Sequence, residues 1–111
     1  MNNKGLHVIA DIYSKEQIAK ANLVAAIVKA IKTAQMQVIG YVEHDFGRQD
    51  AFTAIWLLQE SHFSVHTYPE LNYISIDCYT CGMSSKPVSA IAEVMETFNI
   101  HDSKMTILNR G

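Results

Sequence analysis

The run Gln59-Glu60-Ser61-His62-Phe63-Ser64-Val65-His66-Thr67-Tyr68-Pro69-Glu70 gathers hydroxyls, two imidazoles and two carboxylates between segments that are otherwise apolar. Cys78 and Cys81 follow within a few residues. The set His62, His66, Cys78 and Cys81 has ligand types that suit zinc, and Cys-x-x-Cys is a redox spacing. A plainer alternative is a polar hairpin turn with a solvent-facing edge, its cysteines being buried small residues. His-x3-His converges on one face only in a helix, whereas Phe63-Val65-Thr67 and then Pro69 point to a strand. A redox Cys-x-x-Cys normally opens a helix, and here Gly82 and a loop interrupt the chain.

The elements that must position these residues follow from periodicity. Leu6, Val8, Ala10 and Ile12 alternate with His7, Ile9, Asp11 and Tyr13, which predicts a strand. Ser14 with Gln17 predicts a capping box for a helix running to about Gln35, with Val24, Ile27, Val28, Ile31 and Ala34 as its buried stripe. A strand is expected over 37–43, a polar loop over 44–50, and a strand over 52–58 apolar enough for burial on both faces. The tetrad Gln59-Glu60-Ser61-His62 is expected as a tight connection, with strands over 63–68 and 73–80 beyond it. Gly82 to Lys86 reads as a loop, Pro87 as the first turn of a helix with a stripe of Val88, Ile91, Ala92 and Met95, and Met105 to Leu108 as a last strand. The order predicts an α+β two-layer sandwich, an antiparallel sheet with two helices packed on one face.

With 111 residues the chain is a single domain, and its 49% hydrophobic and 18% charged residues suffice for a packed interior. So small a domain gains from pairing with a second copy. The net charge is −2 without a basic stripe, which gives a nucleic-acid partner no support. Neither a leader pattern nor an apolar run of membrane-spanning length is visible, so a soluble cytoplasmic protein without a membrane partner is expected. In a reducing compartment Cys78 and Cys81 are expected to be thiols rather than a disulfide.

Three spaced motifs carry a resemblance to a known family. Glu60-Ser61-His62, then His66-Thr67-Tyr68-Pro69-Glu70, then Thr80-Cys81-Gly82 resembles the E-S-H, H-T-W-P-E and F-T-C-G signature of S-adenosylmethionine decarboxylase proenzymes of the short prokaryotic class. Gly5-Leu6-His7-Val8-Ile9-Ala10 is similar to the family's G-x-H-L-V-A start, so the likeness spans nearly the whole chain.

The resemblance implies a proenzyme that cuts itself between Glu60 and Ser61 into residues 1–60 and 61–111. Residue 61 then becomes a covalent pyruvoyl cofactor, and no metal is expected. By the same likeness Ser61 is the attacking nucleophile, His66 the processing base and Cys81 the proton donor to carbon. Thr53 stands where relatives carry a serine that assists processing. Glu70 matches the carboxylate that binds ribose, and Tyr68 stands for the usual Trp on the adenosine side. Phe46 or Phe52 is the candidate for stacking, His62 has no assigned role, and His7, His44 and His101 are expected to be structural or solvated. Ser61 and His66 are five apart, so strict alternation puts them on opposite faces unless Ser61 lies in the turn or a bulge shifts the register. The implied reaction is decarboxylation of S-adenosylmethionine, which supplies the aminopropyl donor for spermidine, by a homodimer or higher homo-oligomer. Relatives acting on arginine, or the same chemistry on ornithine, are the alternatives. A different class of alternative is a non-cleaving, metal-binding or dimeric binding module.

Overall fold

The structure, a computed structural model, describes residues 4–81 and 86–111. Gly82 of the third motif and positions 82–85 of the expected loop lie outside the described residues, whereas Lys86 opens a helix. In chain order the elements are β1 (Gly5–Ser14), α1 (Lys20–Thr33), β2 (Val38–Asp45), β3 (Phe52–Leu58), β4 (Ser61–Tyr68), a short 3-10 turn at Pro69–Leu71, β5 (Tyr73–Cys81), α2 (Lys86–Thr97) and β6 (Ile100–Arg110).

The strands form one antiparallel sheet in the order β2-β3-β4-β5-β1-β6. Strands β2 to β5 make a meander, and the two helices carry the chain across the sheet. Both helices cover the same face, where Val8, Ala10, Ile12, Ala54, Trp56, Phe63, Val65, Ile76 and Cys78 are buried against Leu23, Ile27, Ile31, Ile91 and Val94. This is the expected two-layer α+β sandwich. Period-two alternation is its cause, because every second side chain of a strand points to one face.

Several local expectations change. Ser14 is the last residue of β1, paired with Ile100 of β6, and its hydroxyl donates to the Glu16 carbonyl at 2.5 Å. With its N–H bound to the Asn72 carbonyl and its hydroxyl turned to Glu16, Ser14 caps no helix, and α1 starts at Lys20 after Ala19, which makes no side-chain cap bond. The helix buries Leu23, Ala26, Ile27, Ala30 and Ile31, while Val28 of the expected stripe is exposed. Strand β2 extends through His44 and Asp45 because it pairs with Thr53 and Phe52, and β6 runs well beyond Met105–Leu108 at both ends. Strand β3 is not buried on both faces, since Ile55 and Leu57 point to the uncovered side.

Candidate active site

The expected tight connection shrinks to Gln59 and Glu60, because Ser61 and His62 already belong to β4. Gln59 N–H donates to the Gln37 carbonyl at 2.8 Å, and Gln37 N–H donates to Glu60 Oε1 at 3.3 Å. Lys86 Nζ lies 3.8 Å from Glu60 Oε2. These contacts hold the turn against the start of β2 and the start of α2. The carbonyl between Glu60 and Ser61 is held more closely: Cys81 N–H donates to it at 3.1 Å and Cys81 Sγ at 3.2 Å. Two donors on one carbonyl oxygen draw electron density from its carbon and are placed to receive negative charge. Ser61, the adjoining hydroxyl, faces Thr80 across the ladder. Glu60, Ser61 and Cys81 are thus brought together by the β4–β5 pairing.

His66 and Thr53 form a second group. Their strands pair in register, and His66 Nδ1 lies 3.0 Å from Thr53 Oγ1 on the face without helices. Tyr68 continues this group by stacking on Tyr73 at 5.3 Å, and Tyr73 stacks in turn near Tyr13 at 4.9 Å. Glu70 follows in the 3-10 turn, 3.7 Å from Arg48 of the β2–β3 loop. That loop folds tightly, with Gly47, Gln49 and Asp50 at positive φ and Gly47 N–H bound to Asp45 Oδ1 at 2.7 Å.

The two groups do not meet within one chain. The β4–β5 register runs from Ser61 to Tyr68 without a shift, so no bulge intervenes. Ser61 has the parity of Phe63 and Val65 toward the helices, whereas His66 is exposed on the other face. Five residues of extended chain also separate them by about 16 Å.

The remaining candidates divide by burial. Phe52 is 1% exposed beneath Lys20, so of the two candidate phenylalanines only Phe46 has an open ring. His44 and His101 are exposed. Cys78 points into the core, and burial pushes its thiol up to about 12. Cys81, three residues on, is exposed on the opposite face. A strand carries such a pair about 10 Å apart, too far for a disulfide. The set His62, His66, Cys78 and Cys81 likewise fails to converge on a metal.

Sequence reading missed one cluster. His7 Nε2 lies 2.6 Å from Asp77 Oδ1, His62 Nε2 lies 3.3 Å from the same oxygen, and Arg110 Nη1 reaches His7 Nδ1 at 2.9 Å. Ligand atoms of His7, His62 and Asp77 lie within 4.8 Å of one another. The guanidinium donates to Nδ1, so the His7 proton sits on Nε2 and points at Asp77. In this arrangement the cluster is a hydrogen-bonded bridge across β4, β5, β1 and β6. Its only trace in the sequence is that all three side chains fall on the polar side of alternating strands.

Comparison with known proteins places the chain among relatives of one family. The family model described as S-adenosylmethionine decarboxylase matches residues 6–111. An S-adenosylmethionine decarboxylase proenzyme from Archaeoglobus fulgidus is 36% identical over 110 residues, covering 96% of this chain and 97% of that protein. One from Methanococcus maripaludis is 31% identical over 114 residues, covering 100% of this chain and 93% of that protein. Among solved structures, the adenosylmethionine decarboxylase from Aquifex aeolicus superposes with a TM-score of 0.85 at 27% identity, covering 100% of this chain and 93% of that one. Among the described residues no helix is long and apolar enough to cross a membrane.

Proposed function

The chain belongs to the S-adenosylmethionine decarboxylase family, and on that premise we propose that it cuts itself between Glu60 and Ser61 and then decarboxylates S-adenosylmethionine through a pyruvoyl group at position 61. The observation that carries this reading is the Glu60 carbonyl, held by the Cys81 N–H and thiol immediately before a serine. Ser61 Oγ attacks that carbonyl carbon through a five-membered ring, and the charge that develops on oxygen meets two donors already in place. Collapse breaks the C–N bond and leaves an ester, while the nitrogen takes up a proton and stays on residue 61 as an amine. Removal of the α-proton of residue 61 then expels the carboxylate of residues 1–60, and hydrolysis of the resulting enamine with release of ammonia leaves a ketone.

The α-proton needs a base, for which His66 is the candidate with Thr53 orienting its ring. His66 cannot act on its own chain's Ser61 from about 16 Å away. The reading therefore takes the base from a second copy. The face without helices carries Cys81 and also exposes Ile9, Val42, Ile55, Leu57 and Leu108, an apolar surface suited to pairing. A two-fold axis lying in this face and perpendicular to β4 would set the Ser61 end of one β4 against the Tyr68 end of the other. Thr53, His66, Tyr68 and Glu70 then arrive together at the partner's residue 61. The Glu70 carboxylate is suited to accept hydrogen bonds from ribose hydroxyls, and the Tyr68 ring to pack on the adenosine.

A pyruvoyl group held at position 61 would supply an electron-accepting carbonyl for decarboxylation of a substrate amine. Ser61 is the residue that fits this group, since it alone follows the doubly held carbonyl. Cys81 remains beside residue 61 after the cut, with an exposed thiol able to return a proton to carbon. The two fragments would stay together because β1, from residues 1–60, lies between β5 and β6, from residues 61–111. The product is the aminopropyl donor for spermidine. Two free thiols fit a cytoplasmic setting.

Intact mass with carbonyl-directed labelling tests the reading. The wild-type chain should appear as two fragments, the second blocked at its first residue by a group that reacts as a ketone, and Ser61→Ala should remain one chain. An uncut wild-type polypeptide, or a free serine amine at position 61, overturns it. Carbon dioxide release from S-adenosylmethionine, arginine and ornithine, assayed side by side, identifies the substrate.

A further inference from the structure

Thr80 is 1% exposed, and its Oγ1 is the one buried side-chain nitrogen or oxygen among the described residues that lacks a hydrogen-bond partner. Folded chains pair their buried hydroxyls, so an orphan calls for a reason. Its place in the sheet supplies one. On one side its ladder partner is Leu6, which offers no polar side chain, and on the other it is Ser61.

The bond from Cys81 N–H to the Glu60 carbonyl joins the residue after Thr80 to the residue before Ser61. That pattern makes Ser61 and Thr80 a non-hydrogen-bonded antiparallel pair, in which Cα atoms come to about 4.5 Å and side chains lie closest. Both side chains have the parity of Phe63, Val65, Ile76 and Cys78, toward the helices. Hydroxyl pairs across such a position readily hydrogen-bond.

We propose that Thr80 is a positioning residue for the self-cleavage. Resting on the cleavage reading above, its hydroxyl accepts the hydrogen of Ser61 Oγ–H as Ser61 turns toward the Glu60 carbonyl carbon. This fixes the rotamer and leaves an Oγ lone pair aimed at that carbon. Thr80 forms no covalent bond and keeps its own proton. The Ser61 O–H bond breaks as the O–C bond forms and the C–N bond breaks, and the proton the hydroxyl gives up is balanced by the one the departing amide nitrogen takes up, so the ester forms with no net proton change. The hydroxyl is unpaired in the resting chain because its partner comes into line only for the attack.

The test compares Thr80→Val, which keeps the shape and removes the hydroxyl, with Thr80→Ser, which keeps the hydroxyl. Freshly synthesised full-length chains are followed by intact mass for the appearance of residues 1–60 and 61–111. Thr80→Val should lengthen the cleavage half-time on the order of tenfold, and Thr80→Ser should stay within about threefold of wild type, the scale of one hydrogen bond. In an uncuttable Ser61→Ala background, adding Thr80→Val should not lower the melting temperature, because the valine removes an orphan polar atom. A Thr80→Val chain that cleaves as fast as wild type overturns the inference and leaves the cleavage reading standing. Slow cleavage that Thr80→Ser fails to restore, with a lowered melting temperature in the Ser61→Ala background, reduces Thr80 to a packing residue and also overturns it. A wild-type chain that never cuts removes both.

Discussion

Mixing Ser61→Ala and His66→Ala chains asks whether one maturation site is built from two copies. Along β4 the two residues are five apart in unbroken register, so their Cα atoms are separated by about 16 Å. A base acts within about 3 Å of the proton it removes. The two side chains also leave opposite faces of the sheet, so rotamer changes do not close that gap. A Ser61→Ala chain keeps the base and lacks the nucleophile, and a His66→Ala chain is the reverse. Alone, the first should remain whole, and the second should mature on the order of a hundredfold or more slowly, the usual contribution of a positioned base. In a mixed two-fold dimer one site loses both groups and the other has both, so the His66→Ala chain is cut with its partner's imidazole. Random pairing of equal amounts puts about half of all chains in mixed dimers. About half of the His66→Ala chains should then appear as two fragments in the intact mass spectrum, with every Ser61→Ala chain whole. The shared-site reasoning is refuted if the mixture yields no more fragments than His66→Ala alone while wild type cuts normally. Cleavage of His66→Ala alone at the wild-type rate would equally refute it.

Cys81 should show two separable roles. Cys81→Ala keeps the backbone N–H on the Glu60 carbonyl and loses the thiol, so cleavage should slow only about tenfold, whereas turnover, measured as carbon dioxide release, should fall on the order of a hundredfold; equal losses in both would count against a separate protonation role. Cys78 should make the fold sensitive to alkali. Its thiol is raised from 9.0 to about 12 by burial, so above about pH 9 the unfolded chain ionises while the folded chain keeps its proton. Stability then falls as pH rises, by about 1.4 kcal/mol per pH unit across that window. Tyr41, also raised to about 12 by burial and by its bond to Glu43, adds a slope of the same sign. Urea unfolding of wild type and Cys78→Ala over this range isolates the thiol's share, and identical slopes would show that Cys78 ionises freely in the folded chain.

Alternation carried far in this chain. The polar and apolar sides of β1, β4 and β5 were legible because a strand has only two faces, and His7, Asp77 and Thr53 fell on the side without helices as that pattern requires. The spacing of Glu60-Ser61, His66, Glu70 and Cys81 was enough to suggest the family and its chemistry. Where local rules failed, a longer-range constraint had prior hold of the backbone. Ser14 looked like a helix cap, but it pairs with Ile100 of β6 and its N–H is bound to the Asn72 carbonyl. Ile55 and Leu57 looked like a doubly buried strand, but one face of the sheet has no second layer within the chain.

Sequence order alone established which side chains share a strand face, since that depends only on the two-residue repeat. Tertiary structure decided which strands are neighbours: β1 lies between β5 and β6, and β4 between β3 and β5. Only that arrangement sets Cys81 on the Glu60 carbonyl, Thr80 opposite Ser61 and Asp77 between His7 and His62. It also holds Ser61 and His66 at opposite ends of one straight strand. Contacts between residues 15 to 70 positions apart arise from strand order and register, quantities that no local pattern of residue types encodes.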